Sequence, residues 1–77
     1  MKIEILGTGC LKCQKLYENV QQAVGQADID AEVIKITEIN KIMEYGVMIT
    51  PALVVDGKVK TAGKVPAVEE IKGWIAG

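Results

Sequence analysis

The feature that most restricts this chain is the way its hydrophobic period changes and changes back between Lys2 and Ile36. Lys2 to Leu6 reads KIEIL, an alternation of polar and apolar residues that suits a strand. Gly7-Thr8-Gly9 breaks it, and from Leu11 to about Ala27 the residues Cys13, Leu16, Tyr17, Val20, Ala23, Val24 and Ala27 recur at helical spacing. Asp28 to Asp30 is turn-like, and Ala31 to Ile36 (AEVIKI) is a β-branched, partly alternating second strand. Two strands joined by a helix of crossover length are expected to run parallel.

The remainder reads as a short helix, a hairpin and a last helix. Ile39, Ile42 and Met43 fall on one helical face, with Thr37 or Asn40 as the expected N-cap and Gly46 as the stop. After Val47-Met48-Ile49, the apolar segment Ala52 to Val55 and the alternating Lys58 to Ala62 (KVKTA) flank Asp56-Gly57, a two-residue hairpin signal. Gly63 ends the hairpin, Pro66 suits a first helical turn, and Ala67, Val68, Ile71, Trp74 and Ile75 form an apolar stripe whose role is packing. The order is βαβαββα, and residues 1–77 are read as a single domain with no internal repeat or linker.

Charge narrows the function. Nine basic and ten acidic residues give a net charge of −1, with no electrostatic reason to expect nucleic acid or an anionic membrane. The longest apolar run, Val47 to Val55, is interrupted by Thr50 and Pro51 and is too short to span a bilayer. Met1-Lys2-Ile3 leads straight into the first strand without the pattern of a secretory signal, so a cytoplasmic location is expected. Reducing conditions there argue against a permanent disulfide between the chain's two cysteines, Cys10 and Cys13.

Those cysteines sit where strand one hands over to the first helix. A thiolate, the reactive form, needs stabilisation, and unpaired N–H groups and the positive end of a helix supply it at Cys10. Lys12 and Lys15 add positive charge nearby. Cys13, a turn further on, falls on the face expected to be buried, where desolvation keeps it a thiol. Cys10 is thus the expected nucleophile on a substrate disulfide, and Cys13 the resolving thiol that releases the product. Gly7 and Gly9 either let a partner's backbone approach the sulfur or simply end the strand.

Other readings compete. The cysteines can be buried and inert, in a module that only binds a partner. Closed zinc sites want four ligands, and the chain has no histidine. A soft-metal carrier for Cu(I) or zinc is the main alternative, since small heavy-metal domains also place Cys-x-x-Cys after their first strand. Those domains have Met two residues before the first cysteine, where this chain has Thr8, and their order is βαββαβ. The stretch Gly7 to Lys12 echoes a phosphate-binding loop, but it lacks the third glycine of a dinucleotide site and the Gly-Lys-Ser/Thr of a P-loop.

With Cys10-Leu11-Lys12-Cys13 upstream and Thr50-Pro51 opening an apolar strand downstream, nearly the whole chain resembles the thioredoxin and glutaredoxin superfamily. It is most similar to the small thioredoxin-like redox-active disulfide proteins. The resemblance implies an α/β thioredoxin-like fold, a four-stranded mixed sheet flanked by helices, and a protein disulfide oxidoreductase without a bound cofactor or metal. It implies that Pro51 is cis and faces the cysteines, although only about 5 to 6% of X-Pro bonds in folded proteins are cis. Thr50 would then offer backbone hydrogen bonds to an extended substrate, with Gly9 and Lys12 completing the substrate-binding set. Glu4, six residues before Cys10, matches the offset of a buried carboxylate in the larger thioredoxins and is a candidate base toward Cys13; the competing reading makes it the polar phase of a strand. The implied partners are a disulfide-containing protein and a reductase that recharges the dithiol, and the chain is expected to act as a monomer. It departs from larger thioredoxins in having Gly9 and Leu11-Lys12 in place of an aromatic residue and Gly-Pro. Gly63-Lys64-Val65 replaces the Gly-Gly-Asp of glutaredoxins, which weakens the case for glutathione as electron donor.

Overall fold

A computed structural model describes residues 1–9 and 11–75. Its elements are β1 (Lys2–Leu6), α1 (Leu11–Ala27), β2 (Glu32–Ile36), α2 (Ile39–Glu44), β3 (Ala52–Val55), β4 (Lys58–Ala62) and α3 (Val68–Ile75). The strands form one mixed sheet in the order β2-β1-β3-β4, with β1 parallel to β2 and antiparallel to β3, and β3 antiparallel to β4. This is the α/β thioredoxin-like architecture expected from the sequence.

Position in the sheet decides burial. β1 lies inside, and its alternation puts Ile3 and Ile5 into a core with Leu16 and Val20 of α1, Leu53 of β3, and Ile71 and Ile75 of α3. Leu6 points the other way, into a smaller core with Ile42, Val47, Ala52 and Val54 beneath α2. Both faces of β3 are therefore covered, and all four of its residues are buried. The buried Asn19 of α1 donates from Nδ2 to the Pro66 carbonyl at 3.0 Å, which ties α1 to the segment opening α3.

The hairpin turn follows its residues. Asp56 and Gly57 have φ of 49° and 83°, the pair of left-handed conformations a type I′ turn requires. Leu53 pairs with Thr61 but Val54 with Val59, so Lys60 is an extra residue that makes a bulge in the edge strand.

Three local expectations change. The second strand begins at Glu32 rather than Ala31. The N-cap of α2 is Glu38, neither Thr37 nor Asn40, and it makes no side-chain cap hydrogen bond. Pro66 lies before α3, whose first turn is closed by the Ala67 N–H donating to Glu70 Oε1 at 3.3 Å, half of a capping box. The face shared by Ile39, Ile42 and Met43 does form, with only Ile42 buried and Ile39 and Met43 in water, because a helix of six residues turns a single position onto the sheet.

Candidate active site

Three segments meet at the carboxyl end of β1. The Leu6↔Ala52 pairing, continued by one residue, sets Gly7 beside Pro51, and the Gly7 N–H donates to the Ile36 carbonyl at 3.0 Å, extending the β1–β2 ladder. Cys13, third residue of α1, is 7% exposed and packs onto the same spot. A Cβ on Gly7 would lie 2.2 Å from Cys13 Sγ, 3.3 Å from Cys13 Cβ and 3.9 Å from Pro51 Cα. The missing side chain of Gly7 thus makes room for the buried sulfur. Gly7 also follows the last residue of β1, as the strand-ending reading expected; its use as space for the sulfur is one that neither sequence reading contained.

The Thr50–Pro51 peptide bond is cis, Pro51 is buried and Thr50 half-buried. The Pro51 carbonyl accepts the Gly63 N–H at 2.8 Å. Gly63 has φ of 77°, and a Cβ there would meet Ile49 Cγ2 at 2.7 Å, so a second glycine shapes the approach to the proline. Gly9 is exposed, with φ of 95° and open space where a side chain would be. Lys12 is exposed on α1. No acidic side chain occupies the first turn of α1, so the positive end of its dipole is available to an anion.

A small cleft on the β2 side of Cys13 is lined by Ile5, Gly7, Gly9, Gln14, Lys35 and Thr37. Lys35 is pinned there by its ammonium, 4.1 Å from the centre of the Tyr17 ring. Sequence reasoning missed Lys35; its pairing with Ile5, which faces α1, is the signal that it shares a face with Cys13. Cys10, the expected nucleophile, lies outside the described residues.

Glu4 faces the other side of the sheet. It is 5% exposed and follows the phase of Leu6, on the α2 face of the sheet, whereas Cys13 packs on the α1 face. Tyr45, the C-cap residue of α2, donates its hydroxyl to Glu4 Oε2 at 2.5 Å. Glu4 is therefore not a solvated strand residue: it is buried, with its carboxylate taken up by Tyr45 on the α2 side of the sheet. The hydrogen bond to Glu4 raises the Tyr45 pKa above its ordinary 10.0, helped by burial and by the carboxylates of Glu4 and Glu44.

A phenol kept protonated by the fold contributes stability that is fully present below the unfolded pKa and is lost as pH rises through the raised folded value. Tyr45→Phe should lack that alkaline loss. Near neutral pH it should melt a few degrees lower, since a buried carboxylate has lost its donor. Thermal melts at neutral pH and above about pH 10 check both effects. Identical melts of the two proteins across that range would mean the bond is immaterial.

Comparison with known proteins settles the family. A family model described as Thioredoxin domain matches residues 1–76. The chain belongs to the thioredoxin family. It is 50% identical over 70 residues to a thioredoxin of Methanocaldococcus jannaschii, covering 91% of this chain and 80% of that one. It is also 50% identical over 72 residues to a thioredoxin of Methanothermobacter thermautotrophicus, covering 94% of each. Membership makes the chain a thiol–disulfide oxidoreductase. Among the described residues no helix is long and apolar enough to cross a membrane, and no three Cys, Asp or Glu side chains gather as a metal-ligand set.

Proposed function

We propose that the chain passes two electrons to protein disulfides through a Cys10–Cys13 dithiol cycle. The Cys10 thiolate attacks one sulfur of the substrate disulfide, a mixed disulfide forms, and the other substrate sulfur leaves as a thiolate that takes up a proton. Cys13 then gives up its proton and attacks Cys10 Sγ. The Cys10–Cys13 disulfide forms, and the second substrate sulfur departs and is protonated. A reductase returns the two electrons.

The observation that carries this reading is the seating of the buried Cys13 sulfur against Gly7, next to Pro51, in the first turn of a helix that has no acid there. Burial keeps the resolving thiol protonated and away from solvent until the mixed disulfide brings a target to it. The backbone of Thr50, the open surface at Gly9 and the exposed Lys12 receive the extended substrate segment. Glu4 is left out of the proton path in this reading. A base must come within hydrogen-bond reach of its proton, and the Glu4 carboxylate is engaged by Tyr45 on the far face of the sheet. The chain acts as a cytoplasmic monomer with no bound cofactor. Among the described residues nothing favours the alternative of a Cu(I) or zinc carrier over disulfide exchange.

The test combines turnover with titration. With dithiothreitol as electron source the chain should reduce insulin catalytically, and one thiol should titrate clearly below about 8.5 while the other does not. Two thiols titrating together near that value, with no turnover, would end this reading.

A further inference from the structure

The groove between α2 and the segment leading to Pro51 plays no part in the sulfur chemistry, yet it opens beside it. It is lined by Thr8 and Thr50, by the buried Ile42 and Val47, and by the exposed Ile39, Met43 and Met48. No lining residue is charged. Met48 is 96% exposed and Met43 64%, an arrangement that leaves two thioethers in water next to a redox site.

The groove is continuous with the site through Thr50, which adjoins the cis proline, and through Thr8, two residues before Cys10 in the chain. Its occupant is the apolar flank of the segment that carries a substrate's disulfide, because an uncharged, apolar-lined groove offers a charged flank nothing to offset its desolvation. Methionine suits a surface that must fit many such flanks, being unbranched and adaptable. The same thioether is also the side chain a hydroperoxide converts from apolar to polar.

We propose that Met48 and Met43 form a peroxide-sensitive modification site that controls this groove: as thioethers they hold the apolar flank of a disulfide substrate, and as sulfoxides they release it. This rests on the disulfide-exchange reading of the adjoining site. A sulfur lone pair attacks one oxygen of hydrogen peroxide, an S–O bond forms, the O–O bond breaks and water leaves. The thioether is oxidised by two electrons and the peroxide is reduced by two. Reversal belongs to methionine sulfoxide reductases, so this state is separate from that of the dithiol.

The experiment uses the full chain in its disulfide form, which shields the cysteines from peroxide. It is treated with hydrogen peroxide, reduced with dithiothreitol, which leaves sulfoxides intact, and assayed on insulin. Peptide mapping should show one added oxygen at Met48 first and Met43 next, ahead of Met1, which is 45% exposed. KM for insulin should rise about five-fold or more with kcat within about two-fold, the pattern of lost substrate binding. Methionine sulfoxide reductase should restore the original KM. The double variant Met43→Leu, Met48→Leu, whatever its own starting KM, should show no change on treatment. An unaltered KM with both sulfoxides formed, the same rise in the double variant, or oxidation of Met48 no faster than Met1 overturns the proposal. Absence of turnover in untreated protein is a different failure: it overturns the disulfide-exchange reading, and the groove loses its occupant with it.

Discussion

Cys13→Ser should stop the cycle halfway and leave a mixed disulfide between Cys10 and the substrate. The second step is intramolecular in the native chain, and groups held in place react as though present at concentrations far above any free thiol. A serine hydroxyl cannot replace the attacking sulfur, so release falls to external thiol, and turnover with millimolar dithiothreitol should drop by at least about a hundred-fold. Without dithiothreitol the adduct should accumulate on non-reducing gels and disappear when reductant is added. Cys13 is only 7% exposed and packs against a glycine, so the smaller hydroxyl fits and the variant should remain folded. An adduct in a Cys10→Ser variant together with none in Cys13→Ser would show that the two roles are reversed.

Gly7→Ala is the second large effect, and it should damage fold and activity together. Its Cβ would fall 2.2 Å from Cys13 Sγ, far inside contact distance, and neither partner can easily withdraw. Gly7 is held by its hydrogen bond to the Ile36 carbonyl, and Cys13 by its place in α1 between the sheet and solvent. Overpacking of this kind costs about 1–3 kcal/mol. In a domain this small each kcal/mol lowers the thermal midpoint by about 4–8 °C. Displacing the resolving sulfur should also slow its attack, because a misplacement of about 1 Å can cost up to a hundred-fold in rate. Gly9→Ala is the instructive contrast: φ of 95° strains an alanine, but the space is open, so turnover should suffer much less. Equal turnover in the two variants would show that the Gly7–Cys13 contact does not position the sulfur.

Several elements were legible because they depend on neighbours in sequence. The span of α1 follows from apolar residues at spacings of three and four, and the hairpin from Asp56-Gly57, the residue types that accept left-handed backbone. The cysteine pair is visible as a motif whose context is a strand followed by a helix. How far the α2 face is covered was not legible for a related reason: periodicity states which residues share a helical face and not how much of that face a neighbour covers. Ile39 and Met43 match the pattern of Ile42 and still lie in water.

By itself, then, the sequence determined the order of the elements, the turn chemistry and the presence of two sulfurs at redox spacing, since each is written within a few consecutive residues. Tertiary structure alone decided which face Glu4 occupies and that its partner is Tyr45, 41 residues away. It also decided that the space left by Gly7 is taken by Cys13, and that two methionines line an open groove beside Thr50. Those outcomes depend on strand order and on which helix covers each face of the sheet, and no local period encodes them.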